Sequence, residues 1–277
     1  MIGVIRSTIM LGAMGFLFAQ PCVSESVPKN SAAAKTESCF LLWELGVGQV
    51  RRNPADACRT RVSPASTFKI AHALAALDSG VISSIDEKLL YDGKAQPFES
   101  WRRDHTLRSA MRYSVVWFFQ RIAERLGPGR EKEYLNRFSY GNQDSTGGLT
   151  TFWLGQSLRI TPEEQQTFLL NLYQDKLPVK KSAIDAVKTI LIQPRDVVMN
   201  ASGEHVFDAP WPADAIVSAK TGSATDTSGR VIRWIVGNIQ RSNRAFLFVS
   251  CVIGGRDLNS NSAIDLAARS LREARAL

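Results

Sequence analysis

The sequence predicts an α+β fold, an antiparallel sheet flanked by terminal helices with a helical lobe inserted into it. Three observations carry this. Runs rich in β-branched and aromatic residues lie near both ends of the chain, at 40–45, 216–221, 231–239 and 245–253. Apolar residues at helical spacing fill the middle. A last amphipathic segment, 262–276, carries Ile264, Ala267, Ala268 and Leu271 on one stripe. A chain that begins and ends in strands closes one sheet and leaves the central helices as an insertion.

The elements follow in order. Arg6 precedes an apolar run at 9–19, too short to span a bilayer comfortably, with small residues at Ala19 and Ser24. This pattern reads as a secretory signal peptide over 1–24, cleaved after Ala19 or after Ser24, which places the mature protein in the periplasm. Segments 40–45 and 49–52 form a hairpin. After Ser63-Pro64-Ala65-Ser66, the residues Ile70, Ala73, Leu74 and Leu77 mark a helix that ends at Asp78-Ser79-Gly80. A second helix runs from about Ser114 to Leu126, where Gly127-Pro128 stops it. Thr161-Pro162-Glu163-Glu164 opens a third with a capping box. Ser182 caps a fourth, ending near Gln193-Pro194, and the last three strands read as a meander. The sheet lobe thus comprises 25–64 and 205–277, the helical lobe 65–204, and a cleft lies between them.

Composition excludes several classes of function. The 277 residues, 44% hydrophobic, suffice for one sizeable core. The net charge of +8 comes from scattered Lys and Arg without aromatic interleaving, so nucleic-acid binding is not expected. A second apolar stretch of spanning length is lacking, and so is a His/Cys/Asp cluster at metal-ligand spacing, so neither stable membrane association nor a metal is expected. His72, His105 and His205 lack a Gly-x-Ser-x-Gly partner and read as surface or packing residues. Cys39 and Cys58 flank the hairpin and are either a disulfide or two buried thiols; Cys22 falls in or beside the signal segment, and Cys251 is core.

The chemistry-bearing candidates begin with Ser66-Thr67-Phe68-Lys69. Residues i and i+3 share a helix face, so a neutral Lys69 amine could take the Ser66 proton as the hydroxyl attacks a carbonyl. Alone the spacing says little, since Ser26 and Lys29 repeat it in a segment without structure to support it. Two further pieces make it specific: Ser114-Val115-Val116 before a helix, and Lys220-Thr221-Gly222 at the end of a strand.

In this order the three resemble the motifs of the penicillin-recognising serine enzymes. Val116 in the third position of the middle motif, Tyr140-Gly141-Asn142, Phe152-Trp153-Leu154 and the 157–165 segment make the whole mature chain similar to the class D β-lactamases, the oxacillinases, and to their narrow-spectrum branch. The resemblance implies an acyl-enzyme on Ser66 and hydrolysis of oxacillin, cloxacillin and other penicillins, conferring β-lactam resistance. It implies a Lys69 lowered in pKa by burial among Phe68, Val116 and Trp153 and carrying CO2 as a carbamate (N6-carboxylysine) held by the Trp153 indole. It implies Lys220, Thr221 and Ser114 on the substrate carboxylate, Ser114 as proton relay, and the backbone N–H groups of Ser66 and Ser223 as oxyanion hole. Gly222 would let the strand approach the acyl group. Arg256, or a hydroxyl such as Ser260, would clamp the carboxylate. A β-lactam sensor domain or a penicillin-binding protein shares part of this pattern and is the alternative. Monomer and homodimer both remain open.

Overall fold

The computed structural model describes residues 36–53 and 57–274; the signal segment 1–24 and Cys22 lie outside them. β1 (Glu37–Glu44) and β2 (Gly48–Asn53) form the first hairpin. A 3-10 turn at Ala65–Phe68 leads into α1 (Lys69–Ser79). Two short strands, β3 (Lys88–Leu89) and β4 (His105–Thr106), pair ahead of α2 (Leu107–Arg112) and α3 (Val116–Arg137). Then come α4 (Pro162–Tyr173), α5 (Lys181–Ile190), the hairpin β5 (Val197–Asn200) and β6 (Gly203–Val206), the long strands β7 (Ile216–Thr225), β8 (Val231–Gln240) and β9 (Ala245–Gly254), and α6 (Ser262–Ala274).

The main sheet has the order β2-β1-β9-β8-β7, and every neighbouring pair is antiparallel. β9 sits at its centre because Ala245–Gly254 is apolar almost throughout and is buried on both faces. Alternation divides its side chains. Phe246, Phe248 and Val252 meet Ile264, Ala267 and Leu271 of α6, while Leu247, Val249 and Cys251 belong to the core of the helical lobe. The helix on that second face is α4, from the middle of the chain, so of the two flanking helices only α6 is a terminal one among the described residues.

Several local expectations hold. Thr161 accepts from Glu164 N while the Glu164 carboxylate accepts from Thr161 N, the capping box read from the sequence. Gly80 closes α1 in a left-handed conformation.

Others need correction. Gly127 does break the helix, but Pro128 starts a second half at once, because proline suits the first turn of a helix; α3 is one bent element reaching Arg137. Ser182 is not a cap. The N-cap is Lys180, whose N–H donates to Asp78 Oδ1 at 2.7 Å. The lobe boundary drawn at 204/205 cuts through β6, a short hairpin strand with weak alternation. α2 is too short for an apolar stripe to announce it, although Thr106 and Ser109 cap it reciprocally.

Cys39 and Cys58 are joined by a disulfide, but Cys58 sits on a 3-10 turn after β2 rather than on the strand itself. Cys251 is a buried free thiol. Because the bond closes a loop with a sequence separation of 19, its removal by Cys58→Ala is expected to lower the unfolding free energy by about 3 kcal/mol, read as a fall in the urea midpoint.

Candidate active site

The turn that carries Ser66 is wedged between the sheet and the helical lobe. Ser63, fully buried, fastens it on both sides. Its hydroxyl donates to Trp153 O at 2.9 Å and accepts from Gly155 N at 3.0 Å, while its carbonyl accepts from the Trp234 indole of β8 at 2.9 Å. Thr67 Oγ1 donates to Pro64 O at 2.7 Å and tightens the turn further. Gly222 of β7 lies against it so closely that a Cβ there would come 3.1 Å from Pro64 O and from Thr67 Cγ2. The missing side chain thus lets β7 pack against the turn that carries Ser66.

Ser66 is partly exposed, and Lys69 behind it is completely buried. The Lys69 Nζ donates to Ser66 Oγ at 2.7 Å. It lies 5.5 Å from the Phe119 ring centre, and none of the described carboxylates pairs with it. Burial therefore pushes its pKa well below the ordinary lysine value, with the charge of Lys220 adding to the effect.

A cage of rings keeps this region dry. His72 packs on Phe68 and Trp153 at 4.4 and 4.7 Å and stacks on Phe119. The Trp153 Nε1–H, although buried, has no hydrogen-bond partner.

Ser114 and Lys220 form the second half of the site. Lys220 Nζ donates to Ser114 Oγ and to Thr221 O, each at 2.9 Å. Burial lowers the Lys220 pKa to about 7. Ser114 is held at φ 55 and Ala65, next to the nucleophile, at φ 50. Left-handed backbone is costly for residues with a Cβ, so the fold spends strain where the two hydroxyls are aimed.

The loop that packs Trp153 against Phe68 and His72 is clasped at its neck. Asn142 Nδ2 donates to Ser157 O, and its Oδ1 accepts from Arg159 N, both at 2.9 Å. Gly141 has φ 54, and a Cβ there would meet Arg159 O at 2.1 Å. The Tyr140-Gly141-Asn142 motif is the fastening of this loop and not a contact in the cleft.

Ser66, Ser114, Val116, Thr221, Gly222 and Ser223 all line one cleft of about 330 Å³. Arg256 does not. β9 ends at Gly254, and a turn closed by Leu258 N to Gly255 O leaves Arg256 exposed beyond the rim. Ser260 and Asn261 line the cleft in that quarter.

The sequence reading missed Phe98, Trp101, Leu154, Trp234 and Arg233, also in the lining. They come from loops and from a strand whose motif partners lie far away, and only the aromatic character of Phe98, Trp101 and Trp234 hinted at a pocket. It also missed Glu131, which bonds His72 Nε2 at 2.7 Å inside the core. His72 and His105 are buried packing residues, and His205 lies on the cleft rim bonded to Asn200 Oδ1.

Comparison with known proteins gives this geometry a family. The penicillin binding protein transpeptidase domain matches residues 28–272. The probable beta-lactamase YbxI of Bacillus subtilis (strain 168) is 34% identical over 231 residues, 83% of this chain and 80% of that one. Beta-lactamase OXA-1 of Escherichia coli is 35% identical over 242 residues, 83% of this chain and 80% of that protein. The crystal structure of the class D beta-lactamase YbXI from Nostoc superposes with a TM-score of 0.76 at 30% identity, covering 87% of this chain and 95% of its own.

The chain belongs to the transpeptidase-fold serine enzymes and, within them, to the class D β-lactamases.

Two buried lysines without carboxylates make a stability prediction. A lysine with a depressed pKa is protonated in the unfolded chain and not in the folded one, so stability rises with pH above the folded value. For Lys220 that window opens at about 7. Between pH 7 and about 8.5 the unfolding free energy is expected to climb by up to ~1.4 kcal/mol per unit. Lys220→Met should remove the Lys220 share of that slope in urea titrations run across the same range, leaving the share of Lys69.

Proposed function

We propose that this chain hydrolyses the β-lactam ring of penicillin-type antibiotics, oxacillin and cloxacillin among them, through a covalent acyl-enzyme on Ser66, and so confers β-lactam resistance. The observation that carries the reading is the 2.7 Å contact between Lys69 Nζ and Ser66 Oγ, in a buried setting without a described carboxylate. Burial shifts Lys69 toward the free amine, which gives the nucleophile a base beside it.

In acylation Ser66 Oγ attacks the lactam carbonyl, its proton leaves toward the Lys69 side, and the carbon–nitrogen bond of the ring breaks. Ser114, hydrogen-bonded to Lys220, passes a proton to the departing nitrogen. The backbone N–H groups of Ser66 and Ser223 hold the carbonyl oxygen as it gains charge. In the second step water attacks the ester, its proton leaves toward the Lys69 side, and Ser66 Oγ is released.

CO2 on Lys69 fits the same pocket. A free amine in a dry cage is the form that adds CO2, and the unpartnered Trp153 Nε1–H is a donor in want of an acceptor there. The resulting carbamate supplies a more basic oxygen than water for both proton transfers. Trp153 would hold it, with Phe68 and Val116 keeping bulk solvent out.

Residues 1–24 support export of the mature enzyme to the periplasm, through the basic start and short apolar core of a signal peptide.

Steady-state hydrolysis of oxacillin by the purified protein is the first test. Sustained turnover, lost by roughly 10³-fold or more in Ser66→Ala, is expected. A single stoichiometric burst would instead mark a β-lactam sensor or a penicillin-binding protein.

The carbamate has its own readout. Protein equilibrated with ¹³C-bicarbonate is expected to give a carbamate NMR signal, absent in Lys69→Ala and weakened in Trp153→Phe. Trp153→Phe activity should recover in part on adding bicarbonate, and indifference to bicarbonate with no such signal would remove the carbamate from the mechanism.

A further inference from the structure

The cleft collects cations without matching anions. Arg233 lines it, Lys69 and Lys220 lie buried just behind its Ser66 and Ser114, and none of the three forms an ion pair among the described residues. A site built this way is set to receive negative charge from a ligand.

The three cations are not equivalent. Lys69 is engaged with Ser66, and Lys220 gives two of its protons to Ser114 Oγ and Thr221 O. Arg233 is different. It stands on β8 directly opposite Ser223 of β7 and donates one Nη1 hydrogen bond to the Ser223 hydroxyl. Its Nε is buried and without a partner. Strand alternation places Thr221 and Ser223 on the same face of β7, so the guanidinium and the two hydroxyls converge on one end of the cleft. A half-buried guanidinium that lines the cleft and still has an unmatched N–H is the group suited to a carboxylate, which it can meet by two parallel hydrogen bonds.

We propose that Arg233, with Thr221 and Ser223, holds the substrate carboxylate, and that Arg256 has no part in it. The assignment rests on the hydrolase reading for the identity of the ligand. It divides the labour at this end of the site: Arg233 fixes the anion, which leaves Lys220 free to polarise Ser114. Ser260 and Asn261 are the competing candidates, as neutral groups that line the same cleft.

The test compares benzylpenicillin with its methyl ester, which lacks the anion. Second-order acylation of Ser66 is followed by intact mass for the wild type, Arg233→Ala, Arg233→Lys and Arg256→Ala, with steady-state turnover alongside. In the wild type the acid should be preferred over the ester. Arg233→Ala should lower that preference by roughly 10- to 100-fold, the worth of a hydrogen bond to a charged group. The loss should fall on KM more than on kcat, Arg233→Lys should restore part of it, and Arg256→Ala should leave the preference as in the wild type.

An equal loss for acid and ester in Arg233→Ala would overturn the proposal in favour of a structural role. An unchanged preference would overturn it in favour of Ser260 and Asn261. A wild type that acylates without turning over would overturn the hydrolase reading alone, and the acid-to-ester ratio would still decide the role of Arg233.

Discussion

The rest of the structure depends on keeping one amine dry. Lys69 has lost its water, and none of the described residues offers it a carboxylate in return, so the charged form is expensive wherever the fold is intact. That single condition explains why so many large side chains gather behind a small turn. Phe68, Phe119, Phe152 and Trp153 surround the imidazole of His72 and leave no path for solvent from behind. Exposing the cage would return the lysine to its ordinary range and, on the mechanism proposed above, take away the base. Packing and reactivity are here the same requirement stated twice.

Holding the cage in place is the work of residues that never meet a ligand. Ser63 joins the nucleophile turn to the Trp153 loop and to β8 through one side chain and one carbonyl. Asn142 clasps the neck of that loop. Hydrogen bonds of this kind contribute only about 1 kcal/mol each, yet breaking one leaves a buried polar atom unmatched, which costs more. The positioning of the site is therefore a property of a connected network rather than of the three motifs alone.

Much of this was legible in the sequence, for identifiable reasons. Ser66, Lys69, Ser114 and Lys220 could be picked out because three short motifs follow one another in a fixed order, although each residue type is common by itself. The long strands declared themselves through continuous apolar runs, as in β9, and the Thr161 capping box through its reciprocal side chains. What escaped was set by distance in the chain. Arg233 carries no local signal, since its relevance arises only when β8 pairs with β7 and brings it opposite Ser223. Arg256 misled because the turn after β9 points it outward, and no composition rule sets the direction of a turn. Glu131 stayed hidden because Gly127-Pro128 reads as the end of the helix, which leaves the second half of α3 unannounced.

That bend gives α3 two separate allegiances. Its first half supplies Phe118 and Phe119 to the core and the cage, and its second half sends Glu131 back to grip His72 from the far side. A buried acid and imidazole in contact exclude other partners from both, so the imidazole under Trp153 keeps one orientation. The outer surface of the same half-helix is open to solvent at Gly129, Arg130, Lys132 and Glu133. Glu131 ties that half-helix to the ring cage directly, while Leu135 O accepts from Tyr140 N and so reaches the same cage through a second route. The solvent-facing sequence there is free to vary, while the inward carboxylate is bound to a partner it cannot exchange.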